Sequence, residues 1–320
     1  MGGRVKKEGE FSMKKDLLSI LDLSKEEILH LFEEAEYLRN LLRKGSAYQP
    51  LRGKTLGMLF RKPSNRTRLS FEVGMYQLGG HPIFISSQEV QPGQRESIED
   101  VARVVSRYID GIVIRTFDHD EIVKFAASAT IPVINGLTDL LHPCQALSDY
   151  YTLWRKERKL EGLNLTYIGD GNNVCHSLIL GAAKLGVNIT VCTPPDYEPN
   201  EKIVEEGKKI NPQLISFVPD PSEAVKKADV IYTDVWASMG KEAEKEKRKK
   251  IFRPYQVNAS LLSRAKEDVL IMHCLPAHRG EEITDEVMDG KGSIVFEQAE
   301  NRLHLQKAIL VELMGVKCEE

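Results

Sequence analysis

The run Thr55-Leu56-Gly57-Met58-Leu59-Phe60, followed by Arg61-Lys62-Pro63-Ser64-Asn65-Arg66-Thr67-Arg68-Leu69-Ser70-Phe71-Glu72, decides how this chain folds. A short apolar run bounded by turn formers reads as a buried strand, and Pro63-Ser64-Asn65 makes the turn that leaves it. A helix then begins, with Ser64 or Asn65 placed to cap it and Arg68 one turn ahead of Glu72. A strand that feeds a helix through a short polar turn is the repeating unit of an α/β fold.

The alternation continues on both sides. Upstream, Ser24-Lys25-Glu26-Glu27 is a capping box, and Ile28, Leu31, Phe32, Ala35 and Leu38 recur on one helical face. Around the opening strand, 82–86, 111–116 and 131–136 read as three more strands of a first sheet. Residues 165–170, 188–193, 214–218, 230–235, 269–275 and 293–297 read as strands of a second. Strands spaced by helices imply parallel pairing, so the expected architecture is α/β, with two doubly wound parallel-sheet domains and the active site in the cleft between them. A length of 320 residues fits two domains, with the junction in 149–162.

Composition narrows the function classes. Lys+Arg 44 against Asp+Glu 47 gives a net charge of −3, so no basic domain marks a nucleic-acid binder. The dense charges of 240–250 read as a solvated helix or mobile loop. No apolar run approaches the ~18 residues of a membrane span. Residues 1–10 lack the apolar stretch of a secretory signal, and Met13 is an alternative start, with the preceding residues a cloning remnant or an extension. Five cysteines scattered at 144, 175, 192, 274 and 318 point to reduced thiols in a cytoplasm.

Chemistry-bearing residues collect just past the carboxyl ends of the expected strands, where open α/β sheets bind ligands. Ser64, Asn65, Arg66 and Thr67 open a helix, whose free amides, hydroxyls and a guanidinium suit a phosphate. Arg115 ends an apolar strand and requires either a salt bridge or a second contact to the same anion. His142-Pro143-Cys144-Gln145 offers an imidazole and an amide without a second ligand pair at zinc spacing, so His142 reads as a donor to a developing oxyanion. Gly169-Asp170-Gly171-Asn172-Asn173-Val174 fails as a dinucleotide fingerprint because Val174 stands at the third glycine position and no acidic residue closes the next strand. Asp234 ends a strand ahead of Ser238-Met239-Gly240, suited to an ammonium partner or to a helix cap. Cys274, in His273-Cys274-Leu275-Pro276, sits among basic residues that favour a thiolate, as a nucleophile or as a substrate-binding thiol. Arg302 falls in the first turn of a terminal helix opening at Glu300, where a cation opposes the helix dipole and an anionic ligand would explain it.

Together Ser64-Asn65-Arg66-Thr67-Arg68, His142-Pro143-Cys144-Gln145, Asp234 with Ser238-Met239-Gly240, and His273-Cys274-Leu275-Pro276 resemble the ornithine carbamoyltransferases, over roughly residues 17–315. The resemblance implies a carbamoyl-phosphate site of Ser64, Asn65, Arg66, Thr67, Arg115, His142, Gln145, Cys274, Leu275 and Arg302, with Gln91 lent by a neighbouring subunit. It implies ornithine contacts from Asn173, Asp234, Ser238 and Met239, and catalytic roles for Arg66, His142 and Cys274. Residues 1–148, joined by the C-terminal helix 300–320, would bind carbamoyl phosphate, and 149–299 would bind L-ornithine. The family's usual residue at position 65 is Thr, so Asn65 implies at most a shifted phosphate affinity. The implied reaction gives L-citrulline and phosphate within arginine metabolism, in the cytoplasm, with no metal or organic cofactor, by a homo-oligomer that is at least a trimer. A sister enzyme acting on aspartate, putrescine or an acylated ornithine, and a non-catalytic anion- or amino-acid-binding protein, are the alternatives.

Overall fold

The computed structural model describes residues 13–86, 96–237 and 242–315. Gln91, Ser238 and Met239 lie outside the described residues. The opening stretch forms β1 (Thr55–Phe60) and α2 (Arg66–Gln77), after a first helix α1 (Lys25–Arg43). The expected capping box closes α1: Ser24 Oγ accepts from the Glu27 amide at 3.1 Å, and a Glu27 carboxylate oxygen accepts from the Ser24 amide at 2.6 Å. The chain continues through β2 (His81–Ser86), α3 (Ile98–Val105), β3 (Gly111–Arg115), α4 (His119–Ser128), β4 (Val133–Leu137) and α5 (Pro143–Glu157).

The second half runs β5 (Asn164–Ile168), α6 (Asn173–Leu185), β6 (Asn188–Cys192), α7 (Glu201–Ile210), β7 (Ile215–Phe217), β8 (Val230–Thr233), α8 (Lys245–Phe252), β9 (Leu270–His273) and α9 (Val295–Met314). Two parallel sheets result, with strand orders β2-β1-β3-β4 and β7-β6-β5-β8-β9. Each expected strand but one is present, within one or two residues at either end.

The exception is 293–297. Ser293 makes only an isolated bridge to Ile271, with the Ile271 amide donating to Gly292 O and the Ile294 amide to Ile271 O. The backbone then turns into α9 at Val295, so the short apolar run Ile294-Val295-Phe296 belongs to a helix start. This also corrects the placement of Arg302: α9 begins five residues before Glu300, and Arg302 lies about two turns inside it. Arg302 therefore does not sit at the helix N-terminus, and its burial has another cause.

The helix α9 returns to the first half and packs against α1, α2 and α5. α5 packs against α6, and residues 143–153 of α5 are buried all round, so this helix forms the partition between the sheets. A continuous apolar cluster crosses it, from Phe32 and Leu147 through Tyr150 and Leu178 to Ile189. The glycines of Gly169-Asp170-Gly171 have a structural cause: Gly169 holds φ at +145°, and a Cβ on Gly171 would lie 2.2 Å from the Pro199 backbone nitrogen. From Lys245 the charged run is helical in α8, with Arg248 buried against Asp170 at 3.1 Å and Glu246, Lys247 and Lys250 exposed.

Candidate active site

Parallel register places the chemistry. Phe60 pairs with Arg115, so the turn leaving β1 and the end of β3 lie side by side. Ser64 Oγ accepts from the Thr67 amide at 3.2 Å and caps α2, while Asn65 is exposed and makes no side-chain cap. Arg68 turns outward, bonded to Glu72 at 3.2 Å and stacked 4.2 Å from the Phe84 ring, and takes no part in the cleft.

Arg66, Arg115 and Arg302 converge from α2, β3 and α9. Arg302, only 3% exposed, donates to Thr67 Oγ1 at 2.8 Å. Arg66 reaches across the cleft to donate to Leu275 O at 2.5 Å. The Arg115 side chain, 5% exposed, has neither an ion pair nor a hydrogen bond among the described residues. Burial, then the charges of Arg302 and Arg66, push Arg115 down to about 9. Burial likewise lowers Arg66 and Arg302, and the Nε of each of these arginines is buried without a partner. Like charges gathered in a low-dielectric pocket repel one another unless an anion sits between them.

His142 stands beside them at the start of α5. Its amide donates to Ser177 Oγ at 2.8 Å, while ring Nδ1 is buried and unpartnered. Burial, then Arg302, Arg115 and Arg66, hold the imidazole well below its usual range, so it is neutral at physiological pH. Gln145, one turn on, donates through Nε2 to Asp149 Oδ1 at 2.8 Å. Burial pushes the Asp149 carboxyl up to about 7 against donors from Gln298, Gln145 and Tyr232.

On the opposite wall Thr233 pairs with His273, which brings the next residues, Asp234 and Cys274, together. Cys274 Sγ donates to Asp234 Oδ1 at 2.9 Å, and Asn172 Nδ2 donates to Asp234 Oδ2 at 2.7 Å. Burial and the Asp234 carboxylate raise the Cys274 thiol well above its usual range, outweighing the opposing pull of Arg66. The expectation of a thiolate is thus corrected: the neighbour that matters is an acid, and Cys274 is a protonated donor. Asp234 also accepts from its neighbour's amide, Val235 N, at 2.8 Å. Leu275 holds φ at +59°, and its carbonyl is the one Arg66 meets.

Asn173 lies at the start of α6 but donates to Thr138 O at 2.5 Å, across to the first half. Its neighbour Asn172, which the sequence reading left out of the ornithine contacts, both caps α6 and binds Asp234. Asp149, Tyr232 and Gln298 were missed too. The spacing of Gln145 and Asp149, four apart on one helix, was a usable signal. Asp234, His273 and Cys274 present potential metal-ligand atoms within 4.8 Å of one another. Both ring nitrogens of His273 are engaged, Nδ1 accepting from Leu275 N at 2.8 Å and Nε2 facing Glu282 at 3.0 Å, so this histidine has no lone pair to give.

Comparison with known proteins agrees in both halves. A family model described as "Aspartate/ornithine carbamoyltransferase, carbamoyl-P binding domain" matches residues 15–155, and its "Asp/Orn binding domain" counterpart matches residues 161–313. An ornithine carbamoyltransferase of Syntrophus aciditrophicus is 57% identical over 93% of this chain and 99% of its own length. An anabolic ornithine carbamoyltransferase of Pyrococcus furiosus is 52% identical over 94% of this chain and 96% of its own. The solved ornithine carbamoyltransferase of Pyrococcus furiosus superposes with a TM-score of 0.91 at 51% identity, covering 94% of this chain and 98% of that one. With both of its substrate-domain models matched in order and the cleft built between two parallel sheets, the chain belongs to the aspartate/ornithine carbamoyltransferase family, among its ornithine carbamoyltransferases.

Proposed function

We propose that the cleft transfers the carbamoyl group of carbamoyl phosphate to the δ-amine of L-ornithine, giving L-citrulline and phosphate. The observation that carries this reading is the unneutralised trio Arg66, Arg115 and Arg302 around a helix N-terminus, which asks for a small dianion. In this reading the α2 amides, Ser64, Asn65, Arg66 and Arg115 hold the phosphate. Thr67, neutral His142 and Arg302 face the carbamoyl oxygen, where negative charge grows as the amine attacks. Leaving phosphate keeps its arginine contacts as the C–O bond breaks.

Asp234 takes the ornithine side of the cleft. Held by Asn172 and Cys274, its carboxylate is fixed to receive the α-ammonium, and Asn173, Ser238 and Met239 complete the amino-acid contacts. The δ-amine is then placed against the carbamoyl carbon, and orientation supplies much of the rate. Cys274, protonated and tied to Asp234, orients and does not attack. Residues 1–148 with the terminal helix would form the carbamoyl-phosphate unit and 149–299 the ornithine unit. We also propose a cytoplasmic role in arginine biosynthesis and a homo-oligomer of at least three chains, with Gln91 of one subunit serving the next.

Citrulline formation from the two substrates tests the reading, with putrescine, aspartate and an N-acetylated ornithine offered in parallel. Ornithine should be the fastest acceptor. A faster alternative would reassign the substrate, and phosphate binding without any transfer would reduce the protein to an anion binder.

A further inference from the structure

Asp149 is the only charged group in the buried stretch 143–153 of α5, and each donor around it points at its oxygens. Oδ1 accepts from Gln145 Nε2 and from Gln298 Nε2, both at 2.8 Å, and Oδ2 accepts from the Tyr232 hydroxyl at 3.0 Å. Those donors come from α5, α9 and β8. Gln298 is itself locked, because its Oε1 accepts from the His273 amide at 3.0 Å and its Nε2 also reaches Tyr232 at 3.2 Å. The anchor is therefore set by backbone and side chains of the second sheet, while the group it holds belongs to α5.

A side-chain amide is planar, with oxygen and nitrogen on opposite sides of Cδ. When a carboxylate takes the nitrogen of Gln145, its oxygen is turned away from Asp149, and Gln145 lies one turn along α5 from His142. Among the described residues no donor reaches Gln145 Oε1. Without Asp149, either amide orientation would be open.

We propose that Asp149 is a positioning residue: it orients the Gln145 amide so that Oε1 accepts an N–H from the carbamoyl group of carbamoyl phosphate. This rests on the reading of the cleft given above and adds to it a reason for substrate choice. Phosphate contacts alone do not distinguish carbamoyl phosphate from other small phosphates. An acceptor held in place by Asp149 selects the acyl phosphate that carries an N–H.

The test compares three probes on the full-length enzyme: carbamoyl phosphate, acetyl phosphate (a methyl where the substrate has its amine) and inorganic phosphate. Wild type should bind carbamoyl phosphate at least about tenfold more tightly than acetyl phosphate, the size of one hydrogen bond. Asp149→Ala should raise the KM for carbamoyl phosphate about tenfold, leave inhibition by inorganic phosphate within twofold, and erase the preference over acetyl phosphate. Asp149→Asn keeps one accepting oxygen and should recover most of the affinity. In a Gln145→Ala background, Asp149→Ala should have little further effect on that KM.

Equal weakening of carbamoyl phosphate and inorganic phosphate by Asp149→Ala, or effects that simply add to those of Gln145→Ala, would overturn the proposal. Should Asp149→Ala fail to fold, the wild-type comparison decides, since equal binding of carbamoyl and acetyl phosphate overturns it outright. Failure of wild type to bind any of the three probes would instead overturn the reading of the cleft itself.

Discussion

A thiol bonded to a buried carboxylate keeps its proton, and this gives Cys274 a different part from the one its motif invites. Sequence places it among His273, His278 and Arg279; in space the group that faces it is Asp234, 2.9 Å away. Cys274→Ser retains a donor to Asp234, so turnover should persist, reduced chiefly through a higher KM for ornithine. Loss of four or more orders of magnitude in kcat, as when a nucleophile is removed, would contradict a positioning role. Arg115 gives the complementary case. Arg115→Gln should weaken carbamoyl-phosphate use by about 10²–10³, the cost of losing one preorganised contact to developing charge. It should leave the melting temperature unchanged or higher, since it removes a buried cation that no described residue neutralises. A large fall in melting temperature would mean that Arg115 is structural.

Among the elements, α9 carries the largest surprise. Reading it from Glu300 put Arg302 at a helix start, whereas the helix begins at Val295 and delivers Arg302 to Thr67 from its interior. The same helix buries Lys307, 2% exposed, whose ammonium donates to Gln77 Oε1 at 3.1 Å. Burial lowers its ammonium from 10.5 to about 8. A lysine that is harder to charge when folded destabilises the fold wherever it is charged. That cost is fully present below pH 8, and stability rises as pH climbs from about 8 to 10.5, while the unfolded chain still holds the proton. Denaturation of wild type and Lys307→Met across this window checks the sign. Their difference should shrink as pH rises, with the Met variant the more stable near neutrality, and a constant difference would refute the shifted lysine.

Across the whole molecule, the legible part was what repeats and what sits at ends. Strands recur as apolar runs, and parallel sheets put ligand groups at carboxyl edges, so Arg66, Arg115, His142, Asp234 and Cys274 could be marked from sequence alone. What sequence left unread depends on how α5, α6 and α9 meet between the sheets. Asn172 and Asn173 are adjacent, and only the packing shows which faces Asp234 and which reaches Thr138. Asp149, Tyr232 and Gln298 lie far apart in the chain, and their pairing is a tertiary fact. Two bonds, Arg66 to Leu275 O and Asn173 to Thr138 O, already span the cleft. Carbamoyl phosphate should therefore act on the fold as a whole. At a hundred times its dissociation constant it should stabilise the protein by about 2.7 kcal/mol, seen as a higher melting temperature. Arg66→Gly should abolish that rise, and a rise retained in the variant would place the anion elsewhere.

In the proposed reaction one cleft binds a dianionic carbamoyl donor on the first sheet and an amino-acid amine on the second. Steady-state citrulline formation, with carbamoyl phosphate and ornithine varied together and putrescine, aspartate and N-acetylornithine as competing acceptors, tests it most directly. Transfer should be saturable, with ornithine the best acceptor by kcat/KM, and should be lost in Arg66→Gly. Preference for another acceptor, or unchanged kinetics in Arg66→Gly, would contradict it.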